Sequence, residues 1–577
     1  MMKYRIIWIC CLFCTTLFAQ QKKNFFVAPL GNDTNTGLSA NFPLQSINTA
    51  IRMAKPGDTV FLLPGVYREK IQFTRTKGLP DSCIYLYGYL PAHGSEKPVI
   101  DGGAPVPGMD LSNNWIELTG AAWIEIGNLC FRNGWTDPVR VDNSSFISFK
   151  NCDFTGGRKL ILATGSKTHH LLVENCSWDQ GGERLWTIEK DSLGVDAWLS
   201  MHHLLMGYYN GSLVDSRATG GSFVIRGNHI SNAYNGIRFT SKKGYDANVE
   251  IYNNTLVNIR DNDFEPEHYA YNMHIYHNRS HNIHKTFSVD DVAGGYIYYY
   301  GNTVTNDSTE WAKKICSGFW KVYGGTDSLS YPLYAFNNSF FGYGKAFNAM
   351  EKNARLLKHF NNAYFFGGAD AWVLQYTDPT NEFDYDLSNK PWSATMVGNH
   401  FEQHGKIADP QFADPLHGNL LPAANSPVID AGKIMVLKEF GWTQSFHGSA
   451  PDIGAYENGE LADGPAFRFR IPENPKAAYI ETPRIVKYKT AGHQLHIYFS
   501  DAMDPSTVST ETVLVMLNGK RAPVNKTGFS DDNYELVIDT KAFPAQAQIA
   551  ISFLKMPRSI SGQKLSYWAS AIPVINQ

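Results

Sequence analysis

Short apolar runs recur through the middle of the chain, and each run ends in an asparagine. Most neighbouring asparagines are close to 24 residues apart, as Asn254 and Asn278 are, and longer intervals follow Asn175 and Asn302. A fixed period of this size predicts a solenoid, in which each repeat buries its apolar face against its neighbours. The first long interval predicts one further coil plus a loop, and the second predicts an insertion. The repeated asparagines are Asn128, Asn151, Asn175, Asn228, Asn254, Asn278, Asn302, Asn338 and Asn362.

The residues between the asparagines predict strands. Residues 249–252 and 296–300 are rich in β-branched and aromatic side chains and alternate in polarity. No repeat contains a helical pattern between its strands, so we expect short parallel strands joined by turns. Asparagine suits such turns because it tolerates left-handed backbone angles, and stacked copies can hydrogen-bond along the solenoid.

Distinctive motifs lie at both ends of the repeats, at 25–33, 43–47, 56–60 and 64–67 before them and at 425–432 and 451–457 after them. These motifs resemble those of secreted carbohydrate-active proteins with a right-handed parallel β-helix, the pectate-lyase-like superfold. The resemblance implies an all-β chain with a right-handed parallel β-helix domain over residues 21–457. It does not define the reaction, because this scaffold carries hydrolases, lyases, esterases and adhesins.

The repeats stop after Glu457, and residues 458–465 have the glycine-rich, acidic composition of a linker. Short alternating runs then predict a small antiparallel β-sandwich. Residues 499–508 are similar to the signature of a bacterial immunoglobulin-like module. That resemblance implies an immunoglobulin-like sandwich over residues 466–577 with a spacer or accessory role. The predicted strands are 494–499, 513–517, 534–538 and 547–551.

The first twenty residues have the layout of a secretory signal peptide, because Lys3 and Arg5 precede an apolar stretch at 6–18. We therefore expect export to the periplasm or the medium. Cys14 follows Phe13 rather than a small residue, which favours release over lipid anchoring. No later segment has the length and apolarity of a membrane span, so we expect no membrane insertion.

Composition and charge indicate which classes of molecule the protein binds. The net charge is −3 with both signs interspersed, and the absence of a basic run argues against nucleic acid. We expect a monomer that acts on a polysaccharide. Cys130, Cys152 and Cys176 closely follow repeat asparagines, which predicts stacked core positions rather than metal ligands.

The densest set of candidate catalytic residues lies at 261–268. In an extended strand, residues two apart share a face and lie about 6.6 Å apart. Asp263, Glu265 and Glu267 should therefore project together, and they should point outward if Phe264 points into the core. Crowded carboxylates repel one another and folding does not require them, so this segment is the predicted active site.

The repeat also predicts neighbours between coils. The alignment places Arg238 beside Glu265 and Asp290 beside Glu267, with adjacent coils about 4.8 Å apart. Arg238 should then keep Glu265 ionised, and Asp290 should raise the pKa of Glu267. Pro266 weakens the last placement because it removes a donor from the strand. The residues stacked as equivalent inward positions are Ile237, Phe264 and Phe287.

Carboxylates in unequal environments suit glycoside hydrolysis, which needs one protonated acid and one ionised base or nucleophile. We therefore predict a glycoside hydrolase of a complex polysaccharide, neutral or anionic, in which Asp263, Glu265 and Glu267 are catalytic and no cofactor is needed. Long loops on a regular scaffold often form the walls of a binding site. Residues from the first long interval are therefore included among the predicted substrate-binding residues. The predicted substrate-binding residues are Arg238, His268, Asp290, His202, His203 and Trp186.

Two alternatives remain open. A polysaccharide lyase would hold Ca²⁺ at Asp261, Asp263 and Glu265 and use Lys285 or a nearby histidine to remove a proton from the sugar. A non-catalytic glycan-binding or adhesion protein would use the same groove without cleaving its ligand. The histidines near Lys285 are His274, His277, His281 and His284.

Overall fold

The structure is a computed structural model. The predicted signal peptide and residues 460–465 of the predicted linker lie outside the described residues. The structure describes residues 22–575 except 81, 92–95, 105–106, 108–113, 182–185, 187, 242–245, 269, 289–293, 317, 322–328, 330, 349–354, 369–370, 373–377, 438–441, 445, 460–484, 500–502, 518–519, 531–532, 534, 541–547, 556, 560–564 and 566–573.

The repeat region folds as a parallel β-helix, which confirms the predicted fold. Within the described residues, one parallel sheet has 13 strands, each paired with strands of the neighbouring coils. These strands are Asn24–Val27, Thr59–Leu62, Ile84–Gly88, Ala122–Gly127, Ser145–Lys150, His169–Glu174, Val224–Arg226, Ala247–Tyr252, Tyr271–Tyr276, Gly295–Tyr300, Leu333–Phe336, Leu357–Phe360 and Glu382–Asp384.

In the same part of the chain, a second parallel sheet has 21 strands that stack in two columns. We call the 13-stranded sheet the first column, and the two columns of the 21-stranded sheet the second and third columns. The long strands Thr255–His268 and Arg279–Ser288 belong to both columns. The second column also contains Val66–Tyr67, Val99–Asp101, Cys130–Arg132, Asp153–Thr155, Ser177–Asp179, His229–Ala233, Thr303–Thr305, Ser339–Gly342, Ala363–Phe366, Leu387–Ser388 and Lys406–Ile407. The third column also contains Ile71–Thr74, Ile116–Thr119, Val139–Asp142, Ile161–Thr164, Val214–Arg217, Ile237–Ser241, Gly318–Lys321 and Lys345–Asn348.

Stacked apolar side chains form the core of the β-helix. Ile126, Phe149 and Val173 occupy one register position on successive coils, and all three are fully buried. Burying a side chain of this size contributes about 1.5–3 kcal/mol. Because each coil is covered by the next, stability depends on contacts between neighbouring coils.

From Asn228 to Asn362 the repeated asparagines are buried and bonded to one another. The backbone N–H and Nδ2 of Asn254 both donate to Oδ1 of Asn278, at 3.1 and 3.0 Å, and Nδ2 also donates to the Ile225 carbonyl at 2.9 Å. The same pattern repeats along the coils and ends where Asn362 donates twice to Asp386. We call the row from Asn228 to Asp386 the asparagine ladder.

The earlier asparagines are one residue out of phase with this ladder. Asn128, Asn151 and Asn175 occupy the left-handed turn position, with φ of 57°, 53° and 53°. The following residues, such as Cys152 and Cys176, take the buried position, and the Cys176 N–H donates to Asn228. The predicted stacking holds for Cys152 and Cys176. It is wrong for Cys130, which lies in the next strand opposite Asp153.

Replacing Asn302 with alanine should lower the free energy of unfolding by about 3 kcal/mol. Asn302 accepts two hydrogen bonds from Asn278 and donates to Asn338 and the Ile275 carbonyl, all in the core. Truncation leaves the buried backbone N–H of Asn278 without its acceptor and removes one hydrogen bond each from Asn338 and the Ile275 carbonyl. Urea unfolding measures the loss, and Asn41→Ala at an exposed turn should cost less than about 0.5 kcal/mol. Equal losses in the two variants would contradict the stabilising role of the ladder.

Both long intervals are insertions within single coils. Strand His169–Glu174 pairs directly with Val224–Arg226, and Gly295–Tyr300 pairs with Leu333–Phe336. The expectation of a further coil in the first interval is therefore wrong. The helices are Ile47–Met53, Ala197–His203, Glu310–Ile315 and Ala394–Gly398, with 3₁₀ turns at Gly207–Tyr209, Pro415–His417 and Pro505–Thr507. None of the helices in the described ranges has the length and apolarity to cross a membrane.

The C-terminal region contains two four-stranded antiparallel sheets. Residues from both sheets, such as Leu495, Ile497, Val515 and Ile551, are buried in one cluster, which gives the predicted sandwich. One sheet contains Ile485–Ala491, Gln494–Phe499, Glu535–Asp539 and Lys526–Phe529, and the other contains Lys520–Ala522, Val513–Leu517, Gln548–Phe553 and Val574–Ile575. Two short antiparallel pairs precede it: Phe412–Asp414 with Asn419–Pro422, and Val436–Leu437 with Trp442–Thr443.

Candidate active site

The third column brings the acidic segment beside Arg238. The predicted stacking is confirmed, because Ile237 pairs with Phe264 and Phe264 with Phe287. Arg238 and Glu265 are therefore neighbours on adjacent coils, and Arg238 Nε lies 3.1 Å from Glu265 Oε2. The alignment of the coils by their repeated asparagines therefore predicted this ion pair correctly.

Asp263 lies inside the β-helix. Asp263 is 0% exposed. Burial, followed by the nearby charge of Asp263, raises the pKa of Tyr299, which belongs to the core. The pairing with the next coil is irregular between Ile259 and Asn262, so strict alternation does not continue through the segment. The prediction that Asp263 projects outward with Glu265 is therefore wrong, and this placement does not support a catalytic role for Asp263.

Asp263→Asn should make the protein more stable at pH 8 than the parent. Burial raises the pKa of Asp263 well above its usual range, although the Ser280 hydroxyl opposes this shift. Because the folded-state pKa is raised, stability is greatest below the unfolded value of about 3.9 and falls as pH rises. An amide does not titrate, so the difference should grow by at most about 1.4 kcal/mol per pH unit. Urea unfolding at pH 4 and pH 8 checks this, and a pH-independent difference would contradict it.

Glu265 is 4% exposed and accepts a hydrogen bond from Asn262 Nδ2 at 2.5 Å. Burial, followed by the nearby charge of Glu267, raises the pKa of Glu265 to about 8, while Arg238 acts in the opposite direction. The prediction that Arg238 keeps Glu265 fully ionised is therefore wrong, since burial and like charge outweigh the ion pair. A carboxyl in this setting can hold a proton at neutral pH and release it.

Lys285 lies opposite Asn262 on the next coil and is 5% exposed. Burial lowers the pKa of Lys285 to about 8; Asp261 opposes that shift and Lys321 adds to it. Lys321 and Asp261 also act on Glu265. One neighbourhood therefore contains an amine that can accept a proton and a carboxyl that can donate one.

The helix Ala197–His203 is anchored to this neighbourhood. Trp198 Nε1 donates to Asp261 Oδ1 at 3.2 Å, and the Trp198 ring stacks on His202 with ring centroids 4.9 Å apart. His202 Nδ1 lies 2.9 Å from the Tyr234 hydroxyl. Burial lowers the pKa of His202, so the imidazole is neutral at neutral pH.

A cleft of about 440 Å³ lies beside the helix. Arg158, Lys159, Arg217 and Arg238 all line it, and Asp137 and Asp215 each form a salt bridge with one of these cations. A cleft with this many cations attracts anionic ligands. Its lining residues are Arg158, Lys159, His202, His203, Leu204, Leu205, Gly207, Tyr208, Asn210, Arg217 and Arg238.

Arg217 and Lys321 are not among the predicted site residues. Arg217 pairs with Thr240, and Lys321 pairs with Ser288, so both lie in register with the acidic segment. Extending the predicted register by one coil in each direction would have found them. Arg158 and Lys159 carry no such signal, because they lie outside the strands.

The other predicted binding residues are scattered. His202 and His203 line the cleft, and His268 ends its strand opposite Ser241. Trp186 is buried against the helix Glu310–Ile315, so its side chain presents little surface to a substrate. Asp290, predicted beside Glu267, lies outside the described residues.

Two of the histidines named as alternative bases, His274 and His284, are engaged in other contacts. His284 Nδ1 lies 2.5 Å from the Ile315 carbonyl, and burial lowers the pKa of His284 to about 3. His274 lies in the 13-stranded sheet and stacks on Tyr298. Lys285 is therefore the better placed base in this part of the structure.

The predicted Ca²⁺ ligands do not form a cation site. Asp263 faces the core, Asp261 accepts a hydrogen bond from Trp198, and Glu265 is paired with Arg238. Among the described residues, the ligand atoms of Asp261, Asp263 and Glu265 do not all come within 4.8 Å of one another. These residues do not fit the predicted Ca²⁺ ligand set, and no chemical step is assigned to the ion.

No protein-family model and no curated protein matches the chain. Solved structures similar to it include the pectate lyase Pel9A, with 15% identity, coverage of 76% of this chain and 97% of that chain, and a TM-score of 0.37. The PL6 family alginate lyase AlyGC has 14% identity, coverage of 66% and 54%, and a TM-score of 0.40. A GH136 lacto-N-biosidase from Eubacterium ramulus has 12% identity, coverage of 61% and 68%, and a TM-score of 0.33. At these scores the likenesses carry no weight for activity, and the β-helix assignment rests on the strand pairing.

Proposed function

We propose that the protein is an exported lyase that cleaves a uronate-containing polysaccharide by elimination. The observation that carries the proposal is the cleft lined by Arg158, Lys159, Arg217 and Arg238, next to the cluster around Glu265. A neutral sugar offers these cations only hydroxyl oxygens, whereas a uronate chain offers a carboxylate on each acidic sugar, which makes stronger, charge-assisted hydrogen bonds. Arg is suited to this role because its planar guanidinium matches a carboxylate.

Elimination needs a base, a group that stabilises the carboxylate and a proton for the leaving oxygen. Lys285, whose pKa burial lowers to about 8, is the proposed base that takes the proton from C5. The electron pair of that C–H bond forms the C4–C5 double bond, and the C4–O bond breaks. Glu265, whose pKa burial raises to about 8, is the proposed donor of a proton to the departing oxygen. Arg238 is the proposed partner of the uronate carboxylate.

Hydrolysis is the second candidate. Glu265 holds a proton near neutral pH, and Glu267, two residues further along the strand, is more exposed. These two residues could serve as acid and base without Asp263. Elimination is preferred because hydrolysis assigns no role to Lys285.

The test is a screen of uronate polysaccharides against the same polymers with their carboxyl groups reduced to alcohols. The expected result is cleavage of at least one uronate polymer, an unsaturated product that absorbs in the far ultraviolet, and no cleavage of the reduced polymer. New reducing ends without that absorbance would favour hydrolysis. Retention of the glycan without any product would favour the glycan-binding alternative.

A further inference from the structure

We propose that His359, Asp386 and Glu402 bind one divalent metal ion at the C-terminal end of the asparagine ladder. One ligand atom from each residue lies within 4.8 Å of the others, and all three residues are buried. The site lies in the coils after the proposed active site and is independent of the proposed function.

The ladder ends in two acidic residues where the earlier positions have amides. In each earlier step an asparagine Nδ2 donates to the next Oδ1, as Asn338 Nδ2 does to Asn362 Oδ1 at 2.9 Å. Asp386 occupies the next ladder position and accepts from both donors of Asn362, at 2.7 and 3.0 Å. The Asp386 side chain has no amide hydrogen, so it cannot donate to the next residue as a ladder asparagine does.

Glu402 takes the place of the next ladder residue. Its Oε2 accepts the backbone N–H of Asp386 at 3.0 Å, as each ladder asparagine accepts from the residue before it. Where the ladder would place an amide hydrogen against an oxygen, two carboxylates meet. Two adjacent buried carboxylates repel each other strongly unless a cation or a proton separates them.

One oxygen of Glu402 is available for a metal ion. Glu402 is 5% exposed, and its Oε1 has no hydrogen-bond partner among the described residues. The alternative to a metal ion is a proton shared between the carboxyl groups of Glu402 and Asp386, which lie close together. A metal ion in contact with Oε1 would satisfy this oxygen and neutralise the pair of charges.

The third ligand is held by a hydrogen-bonded chain. His359 Nδ1 lies 2.5 Å from Asp386 Oδ2, and His359 Nε2 lies 2.9 Å from the Tyr364 hydroxyl, which accepts from Trp320 Nε1 at 2.9 Å. Metal-binding histidines are commonly oriented in this way through the second ring nitrogen. Ligand atoms on a tetrahedral zinc ion lie about 3.3 Å apart, so His359 and Asp386 need to separate slightly on binding.

The ligand set points to a class of metal. One imidazole nitrogen and two carboxylates suit Zn²⁺ or a similar first-row ion, whereas Ca²⁺ prefers oxygen ligands alone. Because the ligands join the final coils to the ladder, a bound ion should stabilise the fold.

The experiment uses the full chain after treatment with a chelator, dialysis and equilibration with Zn²⁺, and measures metal per chain and the Tm. The parent should retain about one Zn²⁺ per chain and gain several degrees in Tm. Glu402→Gln should retain at least about tenfold less Zn²⁺ and gain nothing. Glu382→Gln, at an exposed ion pair with Lys358, is the matched control and should behave as the parent.

Asp386→Asn separates loss of the metal from loss of the fold. Asparagine restores the side-chain amide of the ladder, so this variant should fold normally while losing the metal. The proposal is overturned if the parent retains no more Zn²⁺ than Asp386→Asn. It is also overturned if the metal-free parent is already as stable as metal-free Glu402→Gln and Zn²⁺ does not raise its Tm, which would show that a shared proton joins the two carboxylates.

Discussion

Lys285→Met should lower kcat by about 10³- to 10⁴-fold on the uronate polymer that the parent cleaves, a loss at the upper end for a general base. Methionine keeps most of the volume of the buried side chain but cannot accept a proton. In the parent, the rate should rise with pH as Lys285 loses its proton near pH 8. It should then fall at higher pH as Glu265 ionises, because its pKa is also about 8. The two values belong to an interacting pair, so the profile should be a narrow bell centred near pH 8.

The control is Lys345→Met. Gly318 pairs with both Lys285 and Lys345, so the two lysines share one register position of the third column. Lys345→Met should change kcat by less than about threefold. Steady-state kinetics with absorbance of the unsaturated product measures both variants. If Lys285→Met keeps a tenth or more of the parent rate, Lys285 is not the base.

Glu265→Gln should lower kcat by about 10²- to 10³-fold while leaving KM within a few-fold of the parent. Glutamine has nearly the same shape but cannot donate a proton to the leaving oxygen. It also changes the group that lies against the buried Arg238 guanidinium, so an unfolding curve must show that the variant is folded.

Asp263→Asn is the matched control for this prediction, since it changes an acid two residues away on the same strand. Asp263 is buried beside Tyr299, so the variant should keep nearly all activity. The opposite outcome, loss of activity in Asp263→Asn and normal activity in Glu265→Gln, would return the catalytic role to the residue that the structure places in the core.

The sequence could predict the fold because the fold repeats. Each coil places an asparagine at the same turn, and a fixed period lets residues on different coils be aligned. That alignment located the ion pair between Arg238 and Glu265 correctly. The ladder is also bonded side chain to side chain from Asn228 onward, as expected for stacked asparagines.

The orientation of Asp263 could not be predicted, because alternation holds only while the strand is regular. The pairing shifts between Ile259 and Asn262, and Asp263 turns into the core beyond that point. The effect of burial was also missed. Proximity to Arg238 alone suggested a lowered pKa for Glu265, but the desolvation of a carboxyl in the column outweighs that attraction.

The basic cleft could not be found from composition. The chain is nearly neutral, and its cations are dispersed along the sequence. Arg158 and Lys159 lie more than one coil away in sequence from Arg217 and Arg238, and folding brings them around one space. The insertion that contains His202 completes the lining, and an insertion breaks the periodicity on which the prediction relied.

The most direct test of elimination at this site is the mass balance of a single cleavage. A defined uronate oligosaccharide is cut once by the parent, and both products are weighed by mass spectrometry. Elimination adds no water, so the two product masses should sum to that of the substrate, and Lys285→Met should yield neither product. A sum greater by one water molecule would show hydrolysis and would contradict the proposed reaction.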